Sequence, residues 1–331
     1  MNTPTRVAAF AAGLAAVFTA AAGLGALTGP VGTARTAEPA GHSSGHAGTS
    51  RRGTTGPAAA EAALPGGLMV SQDGYSLDLA QRQLPAAADT RLRFRLLGPD
   101  GSPVTRYTTA HGKDLHLIAV RRDLTDFQHV HPQLDAGGVW TVPVDLSDPG
   151  VYRVFADFTP ADGDDNLTLV ADLSVAGHYQ PKLLPAAATT AEVDGYTVTL
   201  AGTLEPGRES PLALAVSKDG KPVTDLQPYL EAYGHLVALR DGDLAYLHVH
   251  PAGSPGDGTT KPGPGILFYA TAPSAGDYRL FLDFRHGDRV HTAEFTVTAG
   301  GSTASTEPTG QDRTDDPASP TPTEDSHGHG G

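Results

Sequence analysis

Between punctuating Gly, Pro and Asp residues, the stretch 66–299 is written in short runs of alternating apolar and polar positions. In its first half they fall at 75–80, 91–97, 115–121, 126–131, 139–145, 151–158 and 166–175. A period of two sends successive side chains to opposite faces of a strand. About seven such strands per hundred residues, separated by turn signals, predict an antiparallel β-sandwich of Ig-like or cupredoxin-like type. No segment in this stretch has a helical period. The expected fold class is all-β.

The pattern is written twice. DGYSLDL (73–79) matches DGYTVTL (194–200), and DGSPVT (100–105) matches DGKPVT (219–224). VYRVFADF (151–158) matches DYRLFLDF (277–284). Two tandem sandwiches follow, repeat 1 over 66–179 and repeat 2 over 187–299, with a linker at 180–186. Residues 1–27 contain the uncharged apolar stretch 7–27 behind Arg6. That stretch predicts an N-terminal apolar helix acting as a signal peptide or membrane anchor. Residues 28–65, rich in Gly, Ala, Thr and Ser, read as a flexible linker, and 300–331 as a disordered acidic tail.

Within the repeats the longest shared motif is HLIAVRRDLTDFQHVHP (116–132) against HLVALRDGDLAYLHVHP (235–251), identical at 8 of 17 positions. Each copy has the spacing H-x12-H-x-H-P, giving His116, His129 and His131, then His235, His248 and His250. If each motif folds as a hairpin, a strand's period of two puts both histidines of H-x-H on one face. Antiparallel pairing brings the third histidine to that same face. In repeat 1 a four-residue loop would pair Arg121 with Asp126 and His116 with His131, whereas a six-residue loop would pair His116 with His129. In repeat 2 the Asp241-Gly242 signal predicts a two-residue turn pairing Arg240 with Asp243 and His235 with His248. Facing Cβ atoms about 5 Å apart allow three imidazoles to meet on one ion at about 2.0–2.1 Å from each nitrogen.

Asp157 and Asp283, on the repeated Y-R-x-F-x-D-F strand, are further ligands or acceptors for a ring N–H; an ion pair with Arg153 or Arg279 is the competing role. His111, His286 and His291 are additional candidates, with surface or hydrogen-bonding roles as their ordinary reading. The same face also carries Ile118, Val120 and Phe127. A metal-free reading therefore stands beside the first, with the histidines edging a core and bonding to loop backbone.

Composition narrows the chemistry. The chain has no Cys and 2 Met, which removes disulfides, thiolate sites and blue-copper centres and leaves nitrogen and oxygen as ligands. A net charge of −14 and the lack of basic, aromatic-interleaved patches argue against nucleic acid as partner. No G-x-S-x-G, H-E-x-x-H or phosphate-binding glycine loop is present, so an enzyme is not expected.

The run from HLIAVRRDLTDFQHVHP through VYRVFADFTP, with PYLEAYGHLVALR and GDLAYLHVHP later, resembles exported tandem-repeat HVHP proteins of actinobacteria. These are loosely similar to YtkA-like extracytoplasmic domains and are suspected of heavy-metal or copper handling. The likeness covers about residues 66–299 and implies export and a β-sandwich.

The expected function is therefore extracytoplasmic binding of a divalent metal, Cu(II) first and Zn(II) second, for sequestration or handover. The protein would be membrane-anchored or secreted, in the cell envelope. Its partners would be metal ions, with an envelope metal transporter or another surface protein, and the membrane itself if the N-terminal segment stays uncleaved. One alternative is a metal-free Ig-like structural or adhesion module; another is a metal-dependent enzyme with an open three-histidine site.

Overall fold

A computed structural model of the chain describes residues 64–163, 165–247 and 249–301 and, of His250, the backbone alone. The expected N-terminal helix, most of the 28–65 linker and nearly all of the tail lie outside the described residues. Both repeats belong to one compact unit, and the described residues form strands and turns with no helix.

Repeat 1 contributes β1 (Ser71–Gln72), β2 (Tyr75–Leu79), β3 (Gln83–Pro85), β4 (Ala87–Leu97), β5 (Tyr107–Thr108) and β6 (His116–Arg121). It continues with β7 (Gln128–Val130), β8 (Gln133–Leu134), β9 (Trp140–Leu146), β10 (Gly150–Pro160) and β11 (Leu167–Ala176). One sheet runs β1-β2-β4-β9-β8 and the other β3-β11-β10-β6-β7, with β5 added at the end of β10. Repeat 2 contributes β12 (Thr190–Val193), β13 (Tyr196–Ala201), β14 (Glu209–Lys218), β15 (Lys221–Pro222) and β16 (Gly234–Arg240). It ends with β17 (Val249–Pro251), β18 (Gly265–Thr271), β19 (Gly276–His286) and β20 (Arg289–Ala299). Its sheets are β12-β13-β14-β18-β17 and β16-β19-β20.

Each sandwich closes on a core of its own. In repeat 1 Leu92, Phe94, Trp140 and Val142 of one sheet meet Leu117, Ala119, Val154 and Leu169 of the other. In repeat 2 Val198, Leu214 and Phe268 meet Leu236, Leu280 and Phe295. Both show the corner hydrogen bond of Ig-like sandwiches, in which a Tyr near the start of a central strand reaches back to the preceding turn. Tyr152 donates to the Asp148 carbonyl at 2.9 Å and Tyr278 to the Ser274 carbonyl at 2.8 Å. Of the two sandwich types expected from the sequence, this is the Ig-like one.

A third apolar cluster joins the repeats. Ile118, Val120, Phe155 and Val170, on the outer face of β6-β10-β11, are buried together with Val237, Leu239 and Phe281 of repeat 2. The central strands are thus covered on both faces, and β6 and β16 are close to continuously buried along their length. Phe127 stacks on Phe281 with ring centroids 3.9 Å apart, and Phe155 meets Tyr246 at 5.9 Å. These two pairs exchange equivalent positions of the repeats, so the docking has a pseudo-two-fold relation.

Candidate metal centre

The histidines of repeat 1 are placed by the β6–β7 hairpin. Ile118 faces His129 and Leu117 faces Val130. Extending that register by one pair sets His116 opposite His131. At the turn Arg121 N–H donates to the Thr125 carbonyl at 2.9 Å, so the loop closes on three residues. One extra residue before β7, where Asp126 takes a φ of 54°, restores the register expected from a four-residue loop. The loop is held by the Asp123 carboxylate, which accepts from Arg121 Nε at 2.9 Å and from the Thr125 hydroxyl at 2.8 Å. Leu124 takes a left-handed φ of 62° there. Such strain needs an offset in a bulky residue, and Leu124 finds one by burying itself in the inter-repeat cluster.

On the outer face of the sheet His131, His116, Asp157 and Thr168 form one row, because β10 pairs His116 with Asp157 and β11 pairs Asp157 with Thr168. His129 stands in the next row with Ile118 and Phe155. The result is a convergence of ring nitrogens. His116 Nδ1 lies 3.1 Å from His129 Nε2 and 3.2 Å from His131 Nε2, and the three residues offer ligand atoms mutually within 4.8 Å. Two nitrogens on one tetrahedral ion, each at about 2.0–2.1 Å, stand roughly 3.3–3.4 Å apart, so little movement separates this arrangement from a coordinating one.

The opposite ring edges fix the tautomers. His116 Nε2–H donates to the Ala110 carbonyl at 3.1 Å, and His129 Nδ1–H donates to Asp283 Oδ2 at 2.9 Å. Each ring therefore turns a bare lone pair inward, the arrangement in which outer partners orient metal-binding imidazoles. Burial, reinforced by the neighbouring His129, pushes His116 and His131 down to about 3. Both rings are neutral at ordinary pH, as ligands must be.

Repeat 2 behaves differently. The two-residue turn expected at Asp241-Gly242 does not form. Leu239 bridges Tyr246, and Arg240 N–H donates to the Ala245 carbonyl, so the loop holds four residues, one more than in repeat 1. The cause is Asp243, placed like Asp123: its carboxylate accepts from Arg240 Nε and from Ala245 N–H, and Leu244 turns inward with φ 59°. Beyond the hairpin the chain changes sheet. β17 pairs with β18, not β16, with His250 opposite Tyr269, so Val249–Pro251 belongs to another sheet than the one that carries His235. His248 and the His250 side chain lie outside the described residues.

His235 itself faces repeat 1. Its Nε2–H is shared between the Tyr229 and Leu230 carbonyls at 2.9 and 3.0 Å. Its ring stands 6.2 Å from that of His129, 6.4 Å from His116 and 5.3 Å from His111. Burial and the neighbouring His129 hold His235 down at about 4. The imidazoles of both repeats thus meet at one inter-repeat cluster.

A cavity of about 250 Å³ opens beside it, lined by His111, His116, His129, Asp157, His235 and Tyr246 among others. Burial pushes Asp157 up to about 6, against the pull of Asn166. Neither aspartate pairs with the arginine of its own strand, since Arg153 bonds Asp172 and Arg279 bonds Glu294.

His286 and His291 do not join the cluster. In the β19–β20 ladder Asp283 faces Thr292 while Phe284 faces His291. Phe284 is a core residue, so His291 and His286 have the parity of the core face. His291 is held between Asp194 at 2.7 Å and the His286 carbonyl at 3.3 Å. His286 lies between the Tyr196 hydroxyl and Asp225. The sequence reading also missed that Asp283 reaches His129 across the repeats. The signal available for that contact was the apolar runs of β6, β16 and β19, which are too continuous for strands with one wet face.

The family comparison finds the same two repeats: the model of the domain of unknown function DUF8832 matches residues 70–175 and 191–301. The chain belongs to the DUF8832 family. No curated protein matches it. Among solved structures, the DUF8832 repeats align with the Yersinia pseudotuberculosis adhesin InvE at 13% identity, covering 70% of this chain and 60% of that one, TM-score 0.20. They align with the Escherichia coli adhesin FdeC at 13% identity, covering 70% and 65%, TM-score 0.22. Yersinia pseudotuberculosis InvD aligns at 14% identity, covering 69% and 58%, TM-score 0.23. The chain spans less than two thirds of the length of each of these three.

Proposed function

We propose that this DUF8832 protein binds one divalent transition-metal ion at His116, His129 and His131, outside the cytoplasmic membrane, to sequester it or hand it on. The observation that carries the reading is the meeting of His116 Nδ1 with His129 Nε2 and His131 Nε2 at 3.1 and 3.2 Å. Outer hydrogen bonds leave the lone pairs of His116 and His129 bare. An all-nitrogen set favours Cu(II), then Zn(II), because at equal ligands copper outcompetes the other first-row divalent ions. The role is retention of the ion, not turnover. An envelope metal transporter or another surface protein is the partner that handover requires. The second triplet of the sequence motif, His235, His248 and His250, is not part of this proposal, because His235 stands in the cluster of repeat 1 while β17 pairs with β18.

The test is calorimetric titration of the full chain with Cu(II) and with Zn(II), beside the double variant His129→Ala/His131→Ala. The expected outcome is saturable binding by the wild type that the variant loses at this site. Absence of binding, or binding unchanged in the variant, rejects the reading.

One observation favours a second reading, a metal-free structural or adhesion module. His116, His129 and His235 each already have a hydrogen-bond acceptor at one ring nitrogen, so the cluster is a workable interface without an ion. The same titration decides between the two.

A further inference from the structure

The acceptor that orients His129 comes from the other repeat. Asp283 Oδ2 takes the His129 Nδ1–H at 2.9 Å, while Oδ1 takes the Thr292 hydroxyl at 2.6 Å. Both side chains are buried, exposed to only 5% and 4%. Within its own sheet Asp283 stands opposite His235, whose Nε2–H goes instead to backbone carbonyls. The neighbouring same-face contact follows the same route, with Phe127, two residues before His129, stacked on Phe281, two residues before Asp283. Tyr229 of repeat 2 also lies edge-on to His131, with ring centroids 6.3 Å apart.

Resting on the metal reading above, we propose that Asp283 of repeat 2 is the positioning residue of the metal centre in repeat 1. Uptake of the ion and docking of the two repeats are then one linked equilibrium. The chemistry is direct. A carboxylate on the far ring nitrogen fixes the tautomer, raises the basicity of Nε2 and places a negative charge next to a site whose three ligands are neutral. When the repeats part, His129 loses that partner and the ion is held less tightly. By reciprocity, the ion strengthens docking by the same factor that docking strengthens its binding. Handover would then be gated by separation of the sandwiches.

The experiment uses the full chain and competition titrations with Cu(II) and Zn(II) against a chelator. Asp283→Asn keeps the shape and a partner for Thr292; it should lower affinity by about ten- to hundredfold and shift the Cu(II) electron paramagnetic resonance parameters. Phe281→Leu loosens docking without removing a hydrogen bond and should also weaken binding, by less. Glu205→Gln, which breaks only an exposed pair with Arg208, should leave affinity at the wild-type level. Wild-type affinity and an unchanged Cu(II) spectrum in Asp283→Asn would overturn the proposal.

A second measurement needs no metal and covers the case in which a variant does not fold. Ring 15N shifts of the ion-free wild type should show His129 protonated at Nδ1, and a bare Nδ1 overturns the clamp. If the wild type binds neither ion, the metal reading fails first, and these shifts still decide whether the clamp exists.

Discussion

At the scale of single residues, the imidazoles of His116, His131 and His235 are held neutral by burial and by the rings around them. His116 and His131 sit at about 3 and His235 at about 4, whereas in an unfolded chain each would titrate near 6.5. The unfolded state therefore takes up protons as pH falls through about 6.5, and the folded state does not do so until pH 3–4. More protons on the unfolded chain means lower stability, so the ion-free protein loses stability progressively across this window. The slope is at most about 1.4 kcal/mol per pH unit for each ring, less for one touched by solvent. Urea midpoints at pH 7.5 and 5.0 measure it. His116→Phe/His131→Phe should flatten the dependence, and an equal fall in this variant and the wild type would refute the assignment. Above pH 7 these groups contribute no pH dependence.

At the scale of elements, each sandwich is pinned at its corner by one hydroxyl, from Tyr152 in repeat 1 and Tyr278 in repeat 2. Both rings are fully buried. Tyr152→Phe removes one hydrogen bond from a packed site and should cost about 1 kcal/mol, and Tyr278→Phe, whose hydroxyl also accepts from Ser274 N–H at 3.3 Å, at least as much. Denaturant unfolding checks this; no measurable cost in either variant would show that the corner only accompanies the fold. The strands themselves were legible in the sequence. The run at 75–80 is β2 (Tyr75–Leu79), that at 115–121 is β6 (His116–Arg121), and that at 166–175 is β11 (Leu167–Ala176). Alternation is a local property and survives folding. The hairpin of repeat 1 was legible for the same reason, although His116, His129 and His131 share a face through a three-residue loop and one extra residue before β7, not through the even loop expected. Its counterpart misled. Asp241-Gly242 looks like a two-residue turn, yet the Asp243 side chain caps a longer loop. The sheet switch at Val249 left no mark on the spacing. Nor did spacing show that Asp283 serves a ring 154 residues away, because a contact between two folded surfaces has no period along the chain.

At the scale of the whole molecule, two self-sufficient cores share a third apolar layer. Ile118, Phe155 and Val170 on one side, with Val237 and Phe281 on the other, are at most 4% exposed. These residues lie on the outer faces of their sheets, so neither sandwich needs them for its own interior. A charge placed there should separate the repeats without unfolding either. Phe155→Asp is suited to this, because its carboxylate would be buried against Ile118 and Tyr246, and the cation two residues away on its face, Arg153, is already bonded to Asp172 and the Asp243 carbonyl. An unpaired buried charge is among the costlier changes a protein can suffer, and undocking relieves it by admitting water. We expect small-angle scattering to show a larger radius of gyration for Phe155→Asp, with the far-ultraviolet circular dichroism of the wild type. Calorimetry should show two separable transitions in place of a single cooperative one, since the layer that couples the sandwiches is lost. A compact Phe155→Asp protein that still melts in one step would mean that the layer does not couple them. Complete loss of structure would mean that the repeats cannot stand apart, which would also remove any release of an ion by their separation.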